Sequence, residues 1–499
     1  MVLLDDLIAG LGTLIGFRRG EDGTRNVTGV TCDSRAVAPG AVFVAVRGFS
    51  TDGHRFIDAA IASGAAAIVC EELPAEQSDE VCWLVVTDAR KALAELSKVF
   101  YGNASDALMI IGVTGTNGKT TTARLVTSML NASGIPAGYI GTGLCRIAGR
   151  DIELERTTPE SSGLHDLFRE MVNAGCKAAV MEVSSHALVL DRVHGLRFRA
   201  AVFTNLTPEH LDFHPTMQEY AEAKRLLFDR LDDGGFAVVN ADDPQAEFMV
   251  GNLPPERVFC CTTGGGASFC DSAQRFVASI SEMSVEGSQA EVAFRGRTMT
   301  MQVPLPGAYN VMNMLEAFAV GVCLGIDPET ALRGLTNADS VAGRMERIWS
   351  ADRRCCAVID YAHTPDALQK ALEALRAVTP AGSKLAVVFG CGGNRDRRKR
   401  PEMGRIAAEL ADRVILTSDN PRNEEPEAIL DEVESGMTGR AHLRIADRAE
   451  AIRQAVEGLG EGDILLVAGK GHEEYQEING VKRHFSDRER LEECFARTK

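Results

Sequence analysis

The sequence has no excess of basic charge. Its 499 residues carry 53 Lys and Arg against 70 Asp and Glu, a formal net charge of -17. No broad cationic surface is there to exchange counterions with a nucleic acid, so general nucleic-acid binding is not expected. A Cys-x-x-Cys pair is also missing. The thirteen cysteines, an odd number, are scattered apart from the doublets Cys260-Cys261 and Cys355-Cys356, which reads as reduced thiols in the cytoplasm. Long apolar runs are absent: the longest, Ala59 to Cys70, is interrupted by Ser63 and Gly64. The start, Met-Val-Leu-Leu-Asp-Asp, is acidic where an export signal is basic, so neither export nor a membrane span is expected.

What is present is an ordinary globular composition, 45% hydrophobic and 25% charged, in a chain too long for one core. At about 150 residues per domain it should form three. The segment Gly112-Val-Thr-Gly115-Thr116-Asn117-Gly118-Lys119-Thr120-Thr121 follows the apolar run Leu108 to Ile111. It reads as a phosphate-cradling loop between a strand and a helix. Glycines let backbone N–H groups approach a triphosphate, the helix presents its positive end, Lys119 reaches the terminal phosphates and Thr120 can hold magnesium. Val113 stands where the strict spacing has a glycine.

The expected fold is α/β in three domains. Residues 1–103 alternate short β-type runs (Ala41 to Val46, Ala65 to Cys70, Trp83 to Thr87) with a helix from Arg55 to Ser63, a small α/β domain. Residues 104–340 have strands at Leu108 to Val113, Ala178 to Val183 and Ala200 to Asn205 separated by helical stretches, the mostly parallel sheet of a P-loop core, with a loop over the Gly- and Ser-rich stretch 262–272. Residues 341–499 carry four strand-like runs, Cys356 to Asp360, Lys384 to Phe389, Arg413 to Thr417 and Asp463 to Ala468, as in a Rossmann-like sheet. Each ends in a polar cluster, and ligands bind outside the carboxyl ends of such strands, so the four loops should converge on one site. No Gly-x-Gly-x-x-Gly with a following acidic residue supports a nicotinamide or flavin there. The run Arg395 to Arg400 is the one obvious local cation cluster, readable either as a solvated loop or as an anion contact.

Glu182 closes the strand Ala178 to Met181, where a carboxylate beside the phosphate loop handles magnesium and a reacting group. His210, in Thr204-Asn-Leu-Thr-Pro-Glu-His210-Leu-Asp212-Phe-His214, also follows a strand. No further Cys or His of matching spacing lies nearby, so a magnesium-side role fits better than zinc. In Gln218 to Leu231, helical spacing puts Tyr220, Lys224, Leu227 and Leu231 on one stripe, which places a lysine on an apolar face. Such a lysine either snorkels or has a neutral, modified amine. A carbamate would be an anion able to help hold magnesium.

Together these motifs resemble the Mur ligase family of ATP-dependent peptide synthetases over essentially the whole chain. The carriers are Gly115 to Thr121, Met181-Glu-Val-Ser-Ser-His, Thr204-Asn-Leu with His210-Leu-Asp, Ala223-Lys224, Pro306-Gly-Ala-Tyr-Asn310-Val-Met-Asn313, Gly343-Arg344-Met-Glu and Asp360-Tyr-Ala-His-Thr-Pro-Asp366. Within the family, Asp33-Ser34-Arg35, Thr157-Thr158 and Asp419-Asn420-Pro421-Arg422 resemble members that add meso-diaminopimelate to UDP-N-acetylmuramoyl-L-alanyl-D-glutamate, a step of peptidoglycan precursor synthesis.

The resemblance implies that Gly115, Thr116, Asn117, Gly118, Lys119, Thr120 and Thr121 bind ATP, with Asn310, Arg344 and Asp360 around the nucleotide. It puts Thr120, Glu182, His210 and Lys224 at Mg2+, Lys224 as the carbamylated lysine. Ser34, Thr157, Thr158, Ser184 and Arg192 would hold the UDP-sugar peptide. Arg395, Asp419, Asn420, Pro421, Arg422, Gly469 and Glu473 would hold the amino acid. Leu190 and Arg156 replace a glutamine and an asparagine usual in that pattern. ATP would phosphorylate the D-glutamate side-chain carboxylate, and the diaminopimelate amine would attack the acyl phosphate, with Lys119 and magnesium offsetting the gathered negative charge. The expected partners are these small molecules alone, and the chain a monomer. Two rivals are a folylpoly-γ-glutamate synthetase, which should lack the first hundred residues and the Asp419 to Arg422 cluster, and a non-catalytic P-loop binding module, against which Glu182, His210 and Lys224 speak.

Overall fold

The computed structural model of the protein describes residues 2–20, 26–48, 51–264, 269–271, 274–338 and 342–497. Among these, the first sheet has five strands in the order Leu14–Arg18, Cys82–Val86, Ala67–Cys70, Val42–Val44 and Val30–Thr31. Only Leu14–Arg18 is antiparallel to its neighbour. Val42, Phe43 and Val44 are fully buried, as a strand covered on both faces requires. The helix expected over Arg55 to Ser63 divides into a 3-10 turn, Gly53–Phe56, and a helix, Ile57–Ala62. The Asp52 side chain, accepting from the His54 N–H, caps the turn.

The central sheet has, among the described residues, eleven strands. Seven run parallel in the order Ala137–Gly141, Ala178–Glu182, Met109–Thr114, Phe198–Phe203, Leu231–Asn240, Val258–Thr262 and Arg275–Ser284. Antiparallel strands finish both edges, Leu144–Ile147 with Arg150–Glu153 on one side and Gly287–Phe294 with Arg297–Val303 on the other. The turn between the last two carries two left-handed residues, Arg295 at φ 47° and Gly296 at φ 76°, the geometry that matches strand twist in a two-residue hairpin. The loop expected over 262–272 includes residues 265–268 and 272, which lie outside the described residues.

One helix is shorter than expected. The stripe through Tyr220, Lys224 and Leu227 is buried, but the helix is Met217–Arg225, and Leu231 instead opens the strand Leu231–Asn240, paired with Phe198. A 3-10 turn, Phe228–Arg230, redirects the chain between them.

The third sheet runs Glu346–Trp349, Cys356–Asp360, Ile464–Ala468, Leu385–Phe389, Arg413–Leu416 and Leu443–Arg444, parallel except for the first strand. Its four long strands are those expected, to within one residue. The boundary expected at 340/341 lies outside the described residues. Gly307 starts helix Ala308–Cys323 with φ 98°, and a Cβ on it would stand 2.8 Å from the Ala374 Cβ of helix Pro365–Val378, so only glycine lets the second and third sheets' helices meet there. Among the described residues no helix is long and apolar enough to cross a membrane.

Arg448 and Asp487 form a buried bidentate pair, with Nε to Oδ1 and Nη2 to Oδ2 both 2.7 Å. The same guanidinium donates to the carbonyls of Ala468 (3.0 Å) and Ser418 (3.4 Å), so helix Asp487–Arg497 is tied to two strand-end loops. Asp487→Ala leaves this cation buried without its partner, and a loss of about 3–5 kcal/mol is expected. Urea unfolding of the variant against the unmodified protein measures it.

Candidate active site

The phosphate loop leaves strand Met109–Thr114 and enters helix Lys119–Ala132. Two of its glycines are required by contact as well as by φ. A Cβ on Gly115 (φ 145°) would lie 2.0 Å from the Thr204 Oγ1, and one on Gly118 (φ 87°) 2.5 Å from the Asn313 Oδ1. The loop is pinned from the neighbouring strand end: Asn117 N–H donates to Asn205 Oδ1 (2.9 Å), while Thr204 Oγ1 (2.5 Å) and Asn205 Nδ2 (3.1 Å) donate to the Asn117 carbonyl. Lys119 folds back onto the loop, its Nζ donating to the carbonyls of Gly115 (3.0 Å) and Thr116 (2.7 Å). Burial lowers its amine pKa, against the pull of Glu209 and Glu182.

Glu182 is fully buried and collects four donors. Oε1 accepts from Tyr139 OH (2.6 Å), Thr120 Oγ1 (2.9 Å) and Thr142 N (3.0 Å), and Oε2 from Thr142 Oγ1 (3.2 Å). Arg344 Nη2 donates to Thr120 Oγ1 (3.2 Å), and its guanidinium lies 4.7 Å from the Tyr361 ring centre. Asp360, at the adjoining strand end, accepts from Met345 N (2.8 Å), and burial raises its carboxyl pKa against Arg344. Asn310 lies under the loop, with Asn313 Nδ2 donating to its Oδ1 (3.2 Å). Thr120 and Glu182 present oxygen donors 2.9 Å apart, the hard type that suits magnesium. Among the described residues no group of three or more His, Cys, Asp or Glu side chains converges as a metal site, so a cation here needs oxygens from beyond these residue types.

Lys224 is 1% exposed, its Nζ donating to the Gly115 carbonyl (2.8 Å) and lying 4.4 Å from the Tyr220 ring centre. Burial first, then the Lys119 charge, drives its amine well below the usual lysine range. It does not snorkel. His210 is exposed on one side, left-handed at φ 57°, and its Nε2 is 3.6 Å from Glu209 Oε2. Glu209 Oε1 is in turn 3.6 Å from His363 Nε2 in the third sheet's first loop. Burial alone would raise the Glu209 carboxyl, yet His363, His210 and Lys119 hold it below the usual carboxylate range. His214 is structural, bonded to Ser185 Oγ at 2.9 Å.

On the next stretch Thr157 Oγ1 bonds Thr142 Oγ1 (3.0 Å). Thr158 Oγ1 donates to the Glu182 carbonyl (2.9 Å) and accepts from Ser184 N (3.1 Å). Arg192 donates to the Thr158 carbonyl (3.1 Å) and pairs with Glu160 (2.9 Å), which Arg156 also pairs with. Ser34 opens the 3-10 turn Ser34–Ala36 of the first sheet. The neighbouring Cys32 thiol, pushed up to about 11 by burial and then Glu160, feels Arg156 as well, so this turn faces the 156–160 segment.

In the third sheet Lys470, buried, sits 3.1 Å from Asn420 Oδ1, 3.6 Å from Glu473 and 3.8 Å from Asp419. Asn420 Nδ2 donates to Glu473 Oε2 (2.8 Å). Gly469 N donates to the Asp360 carbonyl (3.0 Å). The Pro421 carbonyl lies so close to Gly393 that a Cβ there would be 1.9 Å away. Arg422 Nη1 donates to the Gly393 carbonyl (2.8 Å). All four predicted strand-end loops therefore do meet. In the basic run only Arg395 is an exposed cation without an ion pair among the described residues. Arg397 and Arg400 bind Glu432, Arg400 also Glu424, and Arg398 binds Asp396.

Three family profiles match in order: "Mur ligase family, catalytic domain" over residues 26–101, "Mur ligase middle domain" over 113–321 and "Mur ligase, glutamate ligase domain" over 343–471. The chain belongs to the Mur ligase family. A UDP-N-acetylmuramoyl-L-alanyl-D-glutamate--2,6-diaminopimelate ligase of Chlorobaculum tepidum is 79% identical over 99% of this chain and 98% of its own length. One of Chlorobium phaeobacteroides is 58% identical over 94% and 92%. A solved structure of an enzyme of that name superposes with a TM-score of 0.67 at 33% identity, covering 94% of this chain and 95% of that one.

Several residues that the structure brings into the site of this Mur ligase do not stand out individually in its sequence. Asp366 accepts from Asn117 Nδ2 (2.7 Å) and Thr207 Oγ1 (3.3 Å), joining the third sheet's first loop to the phosphate loop. Tyr139 and Thr142 hold Glu182, and Glu209 links two histidines. Asp366 and Glu209 lie inside motifs already noted, at strand ends. Tyr139 and Thr142 carry no local signal, since only sheet order puts them beside Glu182.

The lowered Lys224 pKa has a consequence for stability. Unfolded lysine binds its proton more tightly than Lys224 does in the fold. The contribution is therefore complete above the unfolded value, about 10.4, and is lost as pH falls toward the lowered folded one. The urea midpoint is expected to rise between about pH 7 and pH 9, and Lys224→Met to flatten part of that rise in carbon-dioxide-free buffer.

Proposed function

We propose that this chain is an ATP-dependent ligase that joins meso-diaminopimelate to the D-glutamate of UDP-N-acetylmuramoyl-L-alanyl-D-glutamate, releasing ADP and phosphate, in peptidoglycan precursor synthesis. The observation that carries the reading is 79% identity along 99% of the chain to a relative of that name. The family match over residues 26–101 and the Asp419 to Arg422 cluster favour it over a folylpoly-γ-glutamate synthetase. In this reading residues 1–103 hold the UDP-sugar, 104–340 ATP, and 341–499 the amino acid.

The loop amides from Gly115 to Thr121 and the Lys119 amine receive the triphosphate, with Arg344 and Asp360 flanking the nucleotide. Lys119, which donates to two loop carbonyls, would exchange them for phosphate oxygens. Thr120 and Glu182 would supply hard oxygens to hold Mg2+, which when bound would offset charge on the phosphoryl group. Thr157, Thr158, Ser184 and Arg192 bring the D-glutamate carboxylate toward it. Asp419, Asn420 and Glu473 orient the attacking amine, and Arg422 faces the far carboxylate of the amino acid. Arg422 is the better carboxylate partner than Arg395, because its loop is held between Gly393 and Pro421 and its planar fork suits a carboxylate.

The neutral amine of Lys224 is the form that adds to carbon dioxide. Its nitrogen would form the bond to carbon as one C=O π bond of carbon dioxide opens and a proton leaves, and the resulting carbamate anion would lie near Lys119 and His210 and could help hold a cation. Lys224→Ala is expected to lose nearly all activity and to regain part of it with acetate or another short carboxylate. Full activity in the variant, or a plain amine by mass in the active enzyme, would overturn the modification.

The central test supplies UDP-N-acetylmuramoyl dipeptide, ATP and a panel of amino acids and identifies the product by mass. Meso-diaminopimelate is expected to be strongly preferred to L-lysine, because lysine would leave Arg422 without its anion. Arg422→Ala should reduce that preference at least about tenfold. Equal use of lysine by the unmodified enzyme would overturn the substrate but leave the ligase.

A further inference from the structure

The hairpin Tyr475–Ile478 and Val481–His484 lies over the Asp419 to Arg422 loop. Four hydrogen bonds seat it: Gln476 Nε2 to the Asp419 carbonyl (2.8 Å), Glu477 N to Asn420 Oδ1 (3.0 Å), Arg422 N to the Glu477 carbonyl (3.0 Å) and Asn479 N to the Arg422 carbonyl (2.7 Å). None uses the Glu477 carboxylate. That group instead stands beside the Arg422 guanidinium, Oε2 3.5 Å from Nε, with both side chains about three-quarters enclosed, 24% and 20% exposed.

We propose that Glu477 is a specificity-determining counter-ion, which occupies Arg422 in the free enzyme and is displaced by the far carboxylate of the incoming amino acid. The inference rests on the substrate reading above. Arg422 Nη1 is already committed to the Gly393 carbonyl at 2.8 Å, which leaves the Nε side of the fork for an anion. At 3.5 Å the Glu477 contact is longer than a charge-assisted hydrogen bond, so the pair is loose enough to exchange. Arg422 is held at φ 53°, a conformation uncommon for a residue with a Cβ. The loop therefore sets the direction in which the side chain leaves the backbone, and the Gly393 carbonyl, not Glu477, holds the guanidinium by its short contact. Two carboxylates then compete for one fork. L-lysine carries the same far ammonium but a hydrogen in place of the carboxylate, so it has no anion to displace Glu477 and leaves the Arg422–Glu477 pair intact.

The test is Glu477→Gln, which keeps the shape and all four seating bonds. The KM for meso-diaminopimelate is expected to fall on the order of threefold to tenfold, with kcat within about twofold and the KM for L-lysine unchanged. An unchanged or raised KM for meso-diaminopimelate overturns the proposal. If the glutamine variant melts early, Glu477→Asp, which draws the carboxylate back by one methylene, should give an intermediate KM, and a KM equal to that of the unmodified enzyme is equally fatal. Absence of turnover of meso-diaminopimelate by the unmodified enzyme overturns the substrate reading and this inference with it. Normal turnover without the KM shift overturns this inference alone.

Discussion

Strand Met109–Thr114 runs parallel between Ala178–Glu182 and Phe198–Phe203, with Val113 opposite Glu182 on one side and Thr114 opposite Phe203 on the other. That register makes three chain segments leave the sheet at one level. The phosphate loop, the Glu182 carboxylate and the Thr204-Asn205 support therefore begin within a few ångströms of each other. A slip of one residue would turn every side chain to the other face of the sheet. Glu182 would then lose Tyr139 and Thr142, and the loop would lose Asn205. The register is secured by burial: Ile111, Val113, Val180, Ala200 and Val202 form one core with helix Lys119–Ala132 on the same side.

The charges follow from that geometry. Lys119 and Lys224 both reach the Gly115 carbonyl, two amines in one desolvated corner whose carboxylate neighbours are Glu182 and Glu209. Without bound anions each amine is a costly buried cation, and its pKa falls. In the proposed reading a triphosphate would reverse that cost for Lys119. Lys224 has no such exposure, which is why its neutral form has chemical meaning.

The third sheet shares a hydrophobic core with the second, and polar contacts join them around the phosphate loop. Asp366 reaches Asn117, His363 reaches Glu209, and Arg344 reaches Thr120. Each ties a strand-end loop of one sheet to the nucleotide machinery of the other. The loops proposed to receive the amino acid and the phosphate loop are thus held in one frame. Within the third sheet the Arg448–Asp487 pair fastens the loops after Arg413–Leu416 and Ile464–Ala468 from behind.

Much of this was legible in the chain. The four long strands of the third sheet are short apolar runs ended by Asp, Gly or Ser, and a buried parallel strand has only that local signature, so they were found to the residue or nearly so. The phosphate loop and its glycines were legible because a left-handed φ and a close carbonyl permit few alternatives. The antiparallel edges of the central sheet were not. Strands such as Gly287–Phe294 alternate buried and exposed residues, and the half-polar pattern carries a weaker signal than a continuous apolar run. The Lys224 stripe was right through Leu227 and failed at Leu231, because a strand pairing with Phe198 competes for that residue and wins. Residue types and local order alone determined a three-part α/β chain with a phosphate loop and a lysine on an apolar stripe. Which hydroxyls hold Glu182, which aspartate locks the phosphate loop and which glutamate faces Arg422 were decided only by the tertiary structure, since those partners lie tens to hundreds of residues apart and meet through sheet order, which no local sequence signal records.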